Sequence, residues 1–168
     1  HTTIGRKRKK LAIGIYPLEK ISLPITFKAL EPEKIKFTPL DSQKEMSAIE
    51  ILRKHAAGTE HSHLLKGKEK FPVFIDAENK ILSMPPIINS ETAGKITENT
   101  RDVFIECSGF DLEILKKCLN ILTTALADMG GSIWQMEITY GGKREVLPDF
   151  SAEKMKISIE NANKLLGL

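Results

Sequence analysis

Glu106 stands inside an otherwise apolar stretch, Val103-Phe104-Ile105-Glu106-Cys107-Ser108. A carboxylate in such company either faces water or is held in a pocket by polar partners. Strand alternation puts Phe104, Glu106 and Ser108 on one face and Val103, Ile105 and Cys107 on the other, so two polar groups share a face beside an aromatic ring. By itself this pattern favours a solvated edge. Ser83 and Ser108 are nucleophile types, but a serine needs a base to activate it, and the sequence places no histidine to serve either one. Alone, they are ordinary strand serines. His61 and His63, two apart beside Glu60, suit a metal on a strand; without further spaced ligands they are better taken as surface or hydrogen-bonding histidines, and no metal site is expected. The run Arg6-Lys7-Arg8-Lys9-Lys10 is able to grip phosphates or simply to be a solvated edge. Phosphate-binding glycine loops, metal-ligand clusters and nucleophile elbows are missing from the sequence. Its two cysteines, Cys107 and Cys118, form no Cys-x-x-Cys pair; they are expected to pack in the core of a protein in a reducing, cytosolic setting.

Hairpin geometry brings two further residues together. Pro72 to Asp76 and Lys80 to Met84 flank the polar stretch Ala77-Glu78-Asn79. A two-residue loop at Glu78-Asn79 sets Asp76 opposite Ile81 and Phe74 opposite Ser83. The following Pro85-Pro86-Ile87-Ile88-Asn89 cannot continue a central strand, since neither proline offers an N–H, and is expected to be a rigid, partly extended loop.

Around these pieces the chain supplies a scaffold. The stretch from Thr2 to Lys10 leads into a buried strand over 11–16. Ile25, Phe27 and Ala29, then Ile35 and Phe37, predict two half-buried strands with a turn between. Ser47 and Glu50 make a capping box for a helix ending near Gly58. Asp111 caps a longer helix whose apolar stripe, Leu115, Cys118, Leu119, Leu122, Leu126 and Met129, is expected to cover a sheet and to stop at Gly130-Gly131. A second hairpin turns at Gly141-Gly142, and Met155, Ile157 and Ile159 alternate as a last strand. The order of elements predicts an α+β fold: a mixed, largely antiparallel sheet packed with helices in a single domain.

The 168 residues, 41% of them hydrophobic, are enough for one sizeable core. With 28% charged residues and a net charge of +3, an anionic partner is permitted but not demanded. No apolar run approaches the roughly 20 residues that cross a bilayer, and the basic N-terminus lacks the apolar core of a secretory signal, so no membrane partner is expected. The opening on His1 rather than Met, and the new helix beginning near Leu168, suggest a piece of something longer.

The block Ile81-Leu82-Ser83-Met84-Pro85-Pro86-Ile87-Ile88-Asn89-Ser90, the stretch Asn99 to Gly109, and Thr3 to Lys10 leading into Ala12-Ile13-Gly14 together resemble the β subunit of phenylalanyl-tRNA synthetases of archaeal and eukaryotic type, across almost the whole chain. The resemblance implies an amino-acid-editing domain over 1–156, with 157–168 starting the subunit's next domain. The implied activity is ester hydrolysis that removes tyrosine mischarged onto tRNA for phenylalanine. It implies Ser83, Glu106 and Ser108 as the catalytic positions and Phe74, Pro85, Pro86 and Asn89 as the substrate-binding ones; if the basic run Arg6, Lys7, Arg8, Lys9 and Lys10 does grip phosphates, those are expected to be the phosphates of tRNA. Glu106 is expected to read the tyrosine hydroxyl. No cofactor is implied in this domain; the parent enzyme uses ATP and magnesium, works with an α subunit in a heterotetramer, and is cytoplasmic. The common archaeal pattern of the family has Asp and Thr at the positions of Glu106 and Ser108 and a smaller aliphatic residue at that of Phe74. Those departures motivate the alternative of a non-catalytic tRNA- or subunit-docking module; a free-standing deacylase is a further rival.

Overall fold

The hairpin expected between Phe71 and Met84 forms, and the rest of the chain is arranged about it. The computed structural model describes residues 3–152 and 154–167; Thr2, at the head of the basic lead-in, and Leu168, beside the expected last helix, lie outside the described residues. Strands β1 (Leu11–Pro17), β2 (Thr26–Leu30), β3 (Lys36–Phe37) and β4 (Met46–Ser47) precede helices α1 (Ala48–Lys54) and α2 (Ala56–His61). Then come β5 (Phe71–Ile75), β6 (Ile81–Met84), β7 (Ile88–Asn89), α3 (Glu91–Gly94), β8 (Val103–Gly109), α4 (Leu112–Asp128), β9 (Met136–Tyr140), β10 (Lys143–Leu147) and α5 (Ile159–Leu166). The fold is α+β, and every strand pairing among the described residues is antiparallel.

A four-stranded sheet, β2-β5-β6-β7, lies in the middle. One face carries Phe71, Val73, Ile75 and Met84 into the main apolar core with Ile35, Phe37, Ala48, Ile51, Leu65 and Ile87. α1 closes that side, begun by the expected capping box, in which Ser47 and Glu50 exchange side-chain to backbone bonds. The other face receives the two-stranded ribbon β1-β8 through a second cluster around Tyr16, Ile21, Leu82 and Ala93, with Phe74 and Phe104 against it. Behind the ribbon runs α4, capped by Asp111 as expected, with Cys118 buried. The β9-β10 hairpin is held to α4 by Lys116–Glu145 at 2.8 Å, and the segment just after it by Asn120 Nδ2 donating to Asp149 O. No helix among the described residues is long and apolar enough to cross a membrane.

Several expectations are corrected. Of the two half-buried strands expected at 25–30 and 35–37, the first is mostly exposed, because β2 is an edge strand on β5, while β3 pairs with β4 and buries Phe37. A one-residue irregularity after Phe74 puts Ile75, not Asp76, opposite Ile81. Asp76 is buried in the turn instead, where its carboxylate accepts from the N–H groups of Ser22, Glu78 and Lys80, an Asx-type arrangement that competes with strand pairing. The first helix stops at Lys54, breaks at His55 and restarts as α2. Ile88 and Asn89 are not loop but a short strand, because Met84–Ile87 closes a turn that returns them to Met84 and Ser83. Met129 lies beyond α4 and is 83% exposed. Met155 and Ile157 form no strand; lacking a neighbour to pair with, the stretch remains irregular until Ser158 caps α5 at Ile159.

Candidate functional site

Antiparallel pairing of β1 with β8 sets Ala12 opposite Ser108, Gly14 opposite Glu106 and Tyr16 opposite Phe104. With a period of two, all six lie on one face of the ribbon, the face turned to the central sheet. From that sheet Phe74 and Ser83, cross-strand partners as the hairpin reading expected, point back at the ribbon. Glu106, Ser108 and Ser83 are buried; the polar face of β8 is thus the inner one, not a solvated edge.

At the centre is Tyr16, which has no exposed surface. Its hydroxyl lies 2.8 Å from Ser83 Oγ and 3.3 Å from Glu106 Oε1; having one proton, it donates to one of them at a time. Its ring leans on Phe104 with centroids 6.1 Å apart. Burial, then the nearby Glu106, push the phenol far above the usual tyrosine range, so it stays protonated. Among the described residues, Glu106 Oε2 and Ser108 Oγ have no hydrogen-bond partner. Burial pushes the Glu106 carboxyl up to about 8, against the opposing pull of the Tyr16 hydroxyl and, more weakly, of the Ser108 hydroxyl, which lies close enough to act on the carboxyl but outside hydrogen-bonding geometry. Near neutral pH it is therefore largely an uncharged acid, able to donate as well as accept.

Glu106 forms part of the wall of a cleft of about 510 Å³, within the range of small-ligand sites. Ala12 and Ile13 continue that wall on the ribbon. Pro85 to Asn89 form another side, Leu40, Asp41 and His55 to Ala57 a third, and Arg8 closes one end. The sequence-derived candidates are thereby sorted. Glu106, Pro85, Pro86 and Asn89 meet on the cleft; Ser108 is beside Glu106; Ser83 lies behind Tyr16, its hydroxyl engaged there. Phe74 is half-buried, packs against Phe27 with ring centroids 4.7 Å apart and a 32° tilt, and does not line the cleft.

The basic run is divided. Arg6, Lys7 and Arg8 take successive left-handed conformations (φ 48°, 55° and 67°), a tight turn that L-residues adopt only when other contacts hold it. Arg8 supplies the contact: its guanidinium donates to Pro86 O at 3.0 Å and Ile87 O at 2.7 Å. Arg8 thus braces the turn, while Arg6, Lys7, Lys9 and Lys10 remain exposed. His63 Nδ1 bonds Glu60 O and His61 sits 3.9 Å from the Glu60 carboxylate; among the described residues no group of three or more metal-capable side chains converges.

Tyr16, Gly14 and His55 escaped sequence reasoning. Tyr16 reads as the end of the apolar run Leu11 to Tyr16, yet its polar tip and the small residues Ala12 and Gly14 at matching parity are a usable signal of close approach. His55 gave none: it caps the break between two helices, its Nε2 lies 3.0 Å from Leu40 O, and Nδ1 is buried without a partner.

A family model described as B3/4 domain matches residues 8–126, a span from Arg8 through most of α4 that includes the whole cleft and omits β9, β10 and α5. The phenylalanine–tRNA ligase β subunit of Thermococcus sibiricus is 44% identical over 166 residues, covering 99% of this chain and 30% of that protein. The corresponding subunit of Archaeoglobus fulgidus is 39% identical over 168 residues, 100% of this chain and 30% of that protein. A crystal structure of an N-terminal fragment of the phenylalanyl-tRNA synthetase β subunit from Pyrococcus horikoshii superposes with a TM-score of 0.93 at 42% identity, over 99% of this chain and 48% of that one. The chain spans about 30% of the length of these curated relatives.

Proposed function

This chain belongs to the B3/4 domain family, and on that premise we propose that it is the editing module of a phenylalanyl-tRNA synthetase β subunit, deacylating tyrosine mischarged onto tRNA for phenylalanine. The observation that carries the reading is the pair of buried oxygens without partners, Glu106 Oε2 and Ser108 Oγ, beside a cleft of aminoacyl size. A tyrosine ring entering the cleft brings a hydroxyl that donates to one and accepts from the other. Phenylalanine brings nothing to either and leaves both unpaired, at a cost of about 1–3 kcal/mol.

The ester needs little help. An aminoacyl ester is already reactive, so a site that holds it, positions a water and lets the terminal ribose hydroxyl assist works by proximity and electrostatics without a protein nucleophile. In this scheme Glu106 and Ser108 read the ring hydroxyl and Ser83 supports them through Tyr16. Pro85, Pro86 and Asn89 line the path of the aminoacyl group, and Phe74 backs the pocket. Arg6, Lys7, Lys9 and Lys10 face the tRNA phosphates. No cofactor takes part in this step; ATP and magnesium belong to the ligase reaction of the parent enzyme, a cytoplasmic heterotetramer with an α subunit. The test is release of tyrosine and of phenylalanine from the two charged tRNAs by the full-length protein and by a version lacking this domain. Selective loss of tyrosine release on deletion is expected; equal release with and without the domain overturns the reading.

A further inference from the structure

Tyr16 is the hub of the buried polar cluster, and the proposed chemistry does not require it. Gly14 explains how it comes so near Glu106. A Cβ at position 14 would collide with the Tyr16 hydroxyl and fall 2.6 Å from Glu106 Oε1, so phenol and carboxyl meet across space that only a glycine leaves. The meeting makes the two carboxyl oxygens unequal: Oε1 is tied to Tyr16, while Oε2 is left without a partner next to Ser108 Oγ.

That inequality has a function. A long glutamate side chain released at Oε1 is free to turn and hydrogen-bond the neighbouring Ser108 hydroxyl. Both orphaned atoms would then satisfy each other, and the penalty that excludes an unhydroxylated ring would vanish. We propose that Tyr16 is a positioning residue for substrate discrimination: by tying Glu106 Oε1 to Ser83, its hydroxyl keeps Glu106 from collapsing onto Ser108 and holds Oε2 and Ser108 Oγ open for the hydroxyl of the ligand. The inference rests on the cleft being an editing pocket.

Tyr16→Phe keeps the ring and removes the tie. In the full-length protein, the ratio of tyrosyl- to phenylalanyl-tRNA deacylation should fall at least tenfold, through slower tyrosine release with phenylalanine release unchanged or faster. Gly14→Ala, which forces the pair apart, should move the ratio the same way. A uniform loss on both substrates, or an unchanged ratio, overturns the proposal. The titration of Glu106, followed by carbon-13 NMR of the glutamate carboxyls, needs no activity at all. The other titratable groups near it are Tyr16 on β1, Cys107 on its own strand, and Arg8, Asp41 and His55 on the cleft. Because the Tyr16 bond favours the charged carboxylate, as would the Ser108 bond that replaces it, Tyr16→Phe is made in a Ser108→Ala background, where it should raise the midpoint above that of Ser108→Ala alone. Ser83→Ala, which leaves the phenolic proton to Glu106 alone, should lower the wild-type midpoint from about 8. Opposite signs support the tie; a midpoint unmoved in both variants overturns it. If the wild-type protein hydrolyses neither ester, the editing reading fails, and the two midpoints still decide the role of Tyr16. If Tyr16→Phe does not fold, the downward shift in Ser83→Ala decides it.

Discussion

Two carboxylates in two regions of this molecule live in opposite conditions. Glu50, at the start of α1, is half-exposed, and its oxygens accept from Ser47 N, Ser47 Oγ and Lys54 Nζ. Those bonds, the backbone one first, hold its carboxyl at about 2. Glu106, in the β1-β8 ribbon, is buried with one oxygen shared and one orphaned, and burial holds it at about 8. The surface carboxylate is the saturated one and the buried carboxyl the incomplete one. Where solvent is available, full pairing serves the helix; where it is not, incomplete pairing is costly and persists only if something outside the chain completes it. Satisfaction, more than burial, separates the two: Glu50 completes the fold, while Glu106 still has an oxygen to offer.

Replacing Glu106 with Ala should have the largest effect. Tyrosine release should fall roughly 5- to 150-fold, the equivalent of about 1–3 kcal/mol, and the ratio of tyrosine to phenylalanine release should approach one. Parallel deacylation rates check it, and an unchanged ratio would return Glu106 to a supporting role.

Next comes the pH dependence of stability. The folded carboxyl of Glu106 titrates at about 8 against a reference of 4.5, so its contribution is fully present below 4.5 and is lost as pH rises toward 8, by at most about 1.4 kcal/mol per pH unit. Denaturant unfolding of wild type and Glu106→Gln across that window should show a difference that diminishes with acidification. Glu50 has the reverse sign: its contribution is present above 4.5 and is lost as pH falls through about 2. A wild-type curve parallel to that of Glu106→Gln would break the contrast.

Ser47→Ala should cost about 1 kcal/mol of stability through the lost cap and leave the tyrosine to phenylalanine ratio untouched, as unfolding and deacylation measured on one preparation would reveal. The smallest effect belongs to the basic turn. Replacing Lys7 and Lys9 with Ala should weaken tRNA binding alike for any tRNA and reduce the slope of log affinity against log salt by about one for each phosphate no longer neutralised. An unchanged slope would make the run a solvated edge.

The same two carboxylates mark what was legible. The capping box at Ser47 and Glu50, the Asp111 cap of α4 and the Phe74–Ser83 register are written in short windows, where spacing alone defines geometry. Glu106 is visible as an oddity, but its sidedness is not, since the strand pattern cannot tell a polar inner face from a polar outer one. What decides is Tyr16, 90 positions away from Glu106 and 67 from Ser83, whose alignment depends on which strand β8 pairs with. Arg8 fails to announce itself for the same reason, being 78 and 79 positions from the carbonyls it holds. Met155 and Ile157 mislead in the other direction: alternation makes a strand possible, and only a neighbour makes it real.

An open groove beside the rim of a β-sheet ordinarily invites templated growth by any unfolded chain that drifts in. Here the rim is mute. Pro85 and Pro86 have no N–H to offer, Arg8 occupies the carbonyls of Pro86 and Ile87, and Leu40 N takes that of Asn89. The groove can therefore remain open to a small ligand without seeding aggregation, and one guanidinium stands guard over much of that colloidal safety.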